Sequence, residues 1–297
     1  MTKLAIQHFL TADQAAGFTP SWVSPASAPN FYAAKGSSYE VGLAHSQDDV
    51  REAQRLRYEV FNREYGARFI GSAAGLDTDS FDPYCDHLIV RSKGTGEVVG
   101  TYRVLLPEQA HHIGRYYSQS EFFMTRILPE QAHHIGRYYS QSEFFMTRIE
   151  RQIPNLVELG RSCVDPEHRN GAVIMLLWSA IIRYMRHHNR RHLIGSASVS
   201  MRDGGTQAAS LWNRFRSESM VDSLLEAFPK HPLALSRIPV DTKVQEPALI
   251  RGYLKIGAKV CGEPSWDPDF NTADFLLLMD LQSMHPRYAR HFGLEVS

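Results

Sequence analysis

Between residues 46 and 66 apolar side chains recur on one helical face: Val50, Ala53, Leu56, Val60, Phe61 and Tyr65. Ser46 stands where such a helix would be capped, Asp48 and Asp49 suit its first turn, and Gly66 suits its stop. The period then changes. Residues 87–91 and 97–105 predict two strands joined by a turn at Gly94, Thr95 and Gly96. Residues 156–164 predict a buried strand, Pro166 with 169–171 a tight connection, 172–185 a strongly apolar helix, and 193–199 another strand. The stretch from Asp203 to Leu235 shows no clear period. A helix over 247–256, a strand over 258–262 and a last strand over 272–281 close the chain. Helices and strands alternating in this way predict an α/β or α+β class built on one mixed central sheet flanked by helices. The first 38 residues, rich in Ala, Ser and Pro, predict an extension with little regular structure, ahead of one domain over 39–297.

Two features break the pattern. Arg57 and Glu64 fall inside the apolar stripe of the first helix, where charges belong only if they snorkel at its edge, pair, or bind something. Residues 106–127 read LPEQAHHIGRYYSQSEFFMTRI, and residues 128–149 repeat those letters without a change. Stacked repeats need about three copies, so two perfect ones point to an in-frame duplication or an assembly error, with one copy looped out at the surface, ahead of a designed or selected structural repeat. The doubled histidines His111, His112, His133 and His134 then carry no metal-site meaning.

Composition narrows the function classes. A 297-residue chain with 43% hydrophobic and 22% charged residues and a net charge of zero is ordinary globular material, which excludes coating nucleic acid through overall charge. Cys85, Cys163 and Cys261 are widely spaced and make no CxxC pair, so neither a disulfide scaffold nor a zinc site is expected, and the cytoplasm is the natural compartment. No apolar run is long enough for a membrane span, and the N-terminus makes a poor signal peptide. His188 and His192 have i, i+4 spacing without an accompanying acid, so no metal is expected there.

Chemistry concentrates in ELGRSCV (158–164) and DPEHRNGAVIMLLW (165–178). A strand that runs into a short loop with Gly171 opening a helix offers free backbone N–H groups and a partial positive charge to a phosphate, and Arg169 would add a charged contact. The loop Arg169-Asn170-Gly171-Ala172 resembles a reduced form of the Arg/Gln-x-x-Gly-x-Gly/Ala cradle of GNAT acyltransferases. More specifically, AQRLRYEVF (53–61), DTDSFDPYCDHLIV (77–90), VVGTYRVL (98–105), YYSQSEF in each repeat, ELGRSCV, LIRGYLKIGA (249–258) and FNTADF (270–275) resemble the ornithine N-alpha-acyltransferases, the hemolysin-like proteins of ornithine-lipid synthesis. That family holds one copy of the repeated segment. A more distant resemblance to acyl-homoserine-lactone synthases falls on Arg57, Phe61, Asp79, Asp82, Arg103, Glu158 and Arg161.

These resemblances imply a GNAT-like fold and transfer of a fatty or 3-hydroxyfatty acyl chain from acyl carrier protein, a co-substrate rather than a bound cofactor, to the alpha-amine of an amino acid, with ornithine first. Another N-acyl amino acid synthase activity, and a carrier-binding module disabled by the duplication, remain alternatives. Glu158 is the expected general base, or else the anchor of an arginine network. Arg57, Glu64, Asp79, Asp82 and Arg103 are assigned to the amino-acid substrate: the two aspartates to its ammonium groups or to capping the loop, and Arg103 to its carboxylate. Arg161, Arg169, Asn170, Gly171 and Ala172 are assigned to the phosphopantetheine arm. Cys163 reads as a buried thiol rather than a nucleophile. The basic run around Arg183, Arg186, Arg190 and Arg191 is either a solvated helix end or a dock for acidic carrier protein or an anionic lipid surface.

Overall fold

The computed structural model describes residues 37–65, 75–111, 138–292 and 294. The 1–38 extension therefore falls outside them except for Ser37 and Ser38, as does most of the first repeat copy. The described strands are β1 (Tyr39–Leu43), β2 (Asp86–Ser92), β3 (Val98–Leu105), β4 (Phe144–Phe145), β5 (Val157–Val164), β6 (His192–Ser200), β7 (Phe228–Pro229), β8 (Lys259–Val260), β9 (Ser265–Asp267) and β10 (Thr272–Asp280). The main sheet has the order β1-β2-β3-β5-β6-β10-β8, with β9 also paired to β10. Its described pairings are antiparallel except β5 with β6.

Helix α1 (Gln47–Tyr65) begins as its sequence predicts. The Ser46 hydroxyl accepts from the Asp49 N–H, and the Asp49 carboxylate accepts from the Ser46 N–H, so the two cap each other. Helix α2 spans Thr147–Gln152, α3 Ala172–His187, α4 Thr206–Glu218, α5 Ala248–Ile256 and α6 Pro286–His291. Helix α4 lies in the stretch that showed no clear period, and α6 and β1 were likewise not predicted.

Strand alternation divides the core between two sheet faces. Leu88, Val90, Tyr102, Val104 and Leu159 pack with Val173, Leu177 and Ile181 of α3. Ile89 packs with Ala53 of α1, and Cys163 with Leu56 and Val60. Arg103 shares the parity of Thr101 and opposes that of Tyr102 and Val104, so it projects on the α1 side.

Beside Arg103 the sheet opens. Strands β5 and β6 pair only at Val157 with Leu193 and Glu158 with Ile194. A bulge sits on β5, where Gly160 and Cys163 face Arg103 and Thr101, and Arg161 takes φ 51°. Such a bulge bends the strand and re-aims its side chains. Gly195 lies where the strands part: a Cβ there would meet the Leu159 carbonyl oxygen at 2.5 Å.

Candidate active site

A cavity of about 200 Å³ occupies this opening. Its lining comes from both faces of the sheet. Trp178, Ile250, Tyr253, Leu277 and Met279 belong to the α3-side core, whereas Arg103, Glu158 and Asp274 alternate to the other side. The cavity therefore threads the gap between β5 and β6, joining an apolar arm to a polar one.

The polar arm rests on a hub of three arginines and three aspartates. Arg57, at 0% exposure, donates from Nε to Asp77 at 2.9 Å and from its terminal nitrogen to Asp82 at 3.0 Å. Arg103 donates to Asp79 at 2.7 Å and Asp82 at 3.2 Å. Arg161 donates to Asp79 at 3.1 Å and pairs with Asp77 at 3.2 Å. Burial alone would raise Asp82 and Asp79. Arg57 and Arg103 overcome it at Asp82, and Arg103 and Arg161 at Asp79, so both lie below the ordinary aspartate value. Burial, with Arg57 and Arg103, draws His87 down to about 4 despite Asp82. The Tyr139 ring lies 4.7 Å from the Arg161 guanidinium carbon, and Phe270 lies 5.2 Å from it on this cavity wall.

Glu158 is buried and accepts from the Tyr139 N–H at 2.7 Å, the Ser140 N–H at 2.8 Å and the Ser140 hydroxyl. Burial raises its carboxyl, and these donors, with Arg103, only partly reverse the shift. The donors come from the second repeat copy. The described parts of the repeat are 106–111 from the first copy and 138–149 from the second, and between them they supply most of one repeat.

The remaining expected residues scatter. Glu64 pairs at 2.5 Å with Arg169, which also donates to the Val164 carbonyl at 3.0 Å. Asn170 accepts from the Ala172 N–H at 2.9 Å and donates to Tyr39, while Gly171 takes φ 89° as the N-cap of α3. The Ala172 N–H and the Arg169 guanidinium thus already have partners within the chain, and Glu64 sits with them rather than with the hub. Arg190 pairs with Glu108 and Arg191 with Asp280, so these two arginines are already neutralised. Cys163 is buried, its thiol pushed far up by burial, and donates weakly to the Leu56 carbonyl.

Sequence reasoning missed an acidic trio on the same cavity: Glu143, Asp267 and Asp274. One carboxylate oxygen from each lies within 4.8 Å of the others. Burial and the neighbouring Asp274 and Asp267 raise Glu143 well above its ordinary value, and burial pushes Asp274 up to about 6. Asp274 could have been noticed as the lone acid in the apolar run TADFLLLM. Glu143 lay inside the duplicated YYSQSEF segment, where the sequence did not show which copy occupies the fold.

The family model of the acetyltransferase (GNAT) domain matches residues 56–137 and 124–179, two stretches that overlap within the duplication. An L-ornithine N(alpha)-acyltransferase of Rhodobacter capsulatus is 34% identical over 289 residues, covering 89% of this chain and 98% of its own. One from Brucella abortus is 30% identical, covering 88% of this chain and 90% of its own. The chain belongs to the L-ornithine N(alpha)-acyltransferase family. It is an acyltransferase with a GNAT domain. An N-acyl amino acid synthase from uncultured soil microbes is a fainter structural likeness, 9% identical with a TM-score of 0.43 over 82% of this chain and 91% of that one. Among the described residues no helix is long and apolar enough to cross a membrane.

Proposed function

We propose that the chain transfers a fatty or 3-hydroxyfatty acyl group from the thioester of acyl carrier protein to the alpha-amine of ornithine, yielding an N-acyl amino acid of ornithine-lipid synthesis. The observation that carries this reading is the cavity through the sheet, apolar on the α3 side and charged on the other. The alkyl chain lies along Trp178, Ile250, Tyr253 and Leu277, and the amino acid enters beside Arg161 and Arg103. Past Glu158 the β5 edge facing β6 has no ladder partner, so its N–H groups are available to the carbonyl oxygen as negative charge develops.

The substrate ammonium first loses a proton, and Glu158 accepts it through a water molecule, its remaining lone pair being free for that bond. The amine nitrogen then attacks the thioester carbon. The C–N bond forms, the C–S bond breaks with its electron pair going to sulfur, and the thiolate takes up a proton as it leaves. In net terms an ammonium and a thioester give an amide, a thiol and one proton. The three donors converging on Glu158 also favour a second reading, in which it pins the turn at Tyr139 and Ser140.

Arg183 and Arg186 are exposed at the end of α3, a suitable place for an acidic carrier protein to dock. Exposed Phe145, Phe228 and Leu224 lie near Arg148 and Lys230, which suits peripheral contact with a membrane that receives an amphiphilic product. Purified protein incubated with acyl carrier protein thioester and a panel of amino acids, read by mass spectrometry, tests the reading: N-acyl ornithine is expected. Product only with homoserine lactone or S-adenosylmethionine would sink it, and product only from acyl-coenzyme A would replace the donor.

A further inference from the structure

We propose that Glu143, Asp267 and Asp274 seat the side-chain ammonium of a basic amino acid and so set the enzyme's preference for it over neutral ones. The proposal rests on the acyl-transfer reading above and assigns its acceptor end. Asp274, 4% exposed, leaves Oδ1 without a well-formed hydrogen bond although it lines the cavity, and the Ser198 and Thr272 hydroxyls beside it only partly ease its charge. An orphaned buried carboxylate oxygen is costly unless a donor arrives. Glu143, 6% exposed, receives one side-chain donor, the Ser196 hydroxyl at 3.1 Å. Asp267 uses one oxygen on the Asp269 and Phe270 N–H groups.

Among the described residues the trio has no paired counter-ion. No described lysine, arginine or histidine pairs with any of the three, and Arg161, whose charge reaches Asp274, is engaged by Asp77 and Asp79. Asp79 and Asp82, which the sequence offered to the ammonium, are engaged in the same hub. Among the described residues the cavity carboxyls without a paired cation are therefore Glu158, which already accepts three hydrogen bonds, and the trio. A primary ammonium carries three donors at tetrahedral angles. Acceptors about 2.8 Å from one nitrogen in that arrangement lie roughly 4.6 Å apart, and the trio's oxygens all lie within 4.8 Å of one another. Three carboxyls without a cation repel one another, and a cation settling among them relieves that repulsion.

The test compares ornithine with norvaline, which has the same carbon chain but no side-chain amine. With acyl carrier protein thioester, kcat/KM for ornithine should exceed that for norvaline by about a hundredfold or more, because a site built for donors rejects the analogue that lacks them. Asp274→Asn and Glu143→Gln should each lower that ratio by at least about tenfold, chiefly through KM for ornithine, with norvaline turnover retained. Calorimetry with the two amino acids reads the same preference without catalysis, and thermal melts check that the variants fold. Equal wild-type binding of ornithine and norvaline, or binding of neither, would overturn the proposal. So would variants that lose both substrates equally, or Mg2+ or Mn2+ binding that disappears in Asp274→Asn together with chelator-sensitive activity. If both variants unfold, the wild-type ratio decides. Failure to acylate any amino acid would instead count against the acyl-transfer reading, while calorimetric preference for ornithine would still support the seat.

Discussion

Replacing Asp274 with asparagine should make the free protein more stable. The fold holds this carboxyl buried and without a well-formed hydrogen bond to Oδ1, and burial pushes it up to about 6 from an ordinary 3.8. A difference of about two pH units corresponds to about 3 kcal/mol between protonation states. The folded chain binds this proton more tightly than the unfolded chain does. Its contribution to stability therefore falls as pH rises from about 4 to about 6, and above that window the deficit is complete. Asparagine has no such deficit. Urea unfolding followed by circular dichroism should give variant and wild type alike near pH 4, with the variant ahead by up to about 3 kcal/mol near pH 8. Saturating ornithine should narrow that gap, since a ligand stabilises the protein that binds it. A gap independent of pH, or a variant less stable than wild type near pH 8, would refute the idea that Asp274 is uncompensated.

Arg57→Met should destabilise by roughly 3–5 kcal/mol, because it leaves Asp77 and Asp82 buried with one cation fewer; the loss is read as a lower urea midpoint. Glu158→Gln should keep the fold and carrier-thioester binding while lowering turnover by about a hundredfold or more, as expected for a lost proton acceptor; an unfolded variant would assign Glu158 to holding Tyr139 and Ser140 instead. Deleting residues 128–149 restores a single repeat, so the shortened protein should fold and acylate ornithine. Product from the shortened form alone would mean that the duplication disables the enzyme.

Much of the scaffold was legible because its signals are local. Ser46, Asp49 and the apolar stripe specify α1 within one short segment, and the β2–β3 hairpin follows from a turn between two alternating runs. Arg57 stood out because it breaks that stripe, and the structure accounts for it through Asp77 and Asp82. Helix α4 escaped notice because Asp203 to Leu235 mixes polar and apolar residues without a clear face, and packing against β6 fixes the helix there. The acidic trio was illegible for a different reason. Glu143, Asp267 and Asp274 approach one another only after β9 pairs with β10 and the repeat segment docks beside them. Asp79 and Asp82 were conspicuous in sequence as a cluster, yet their neighbours in space are arginines rather than open cavity.

The division of the repeat between residues 106–111 and 138–149 also bears on the gene. Because the copies are identical, removing any 22 consecutive residues that begin anywhere from Leu106 to Leu128 produces the same shortened chain. Loss of one copy thus has many equivalent breakpoints along the chain and one outcome. A labelled copy would show which tenant holds the berth. Ser140→Ala removes a donor to Glu158, and Ser118→Ala makes the same change at the matching position of the other copy. A loss confined to Ser140→Ala would mean that the upstream duplicate does not stand in, whereas two mild losses would mean that the copies exchange places.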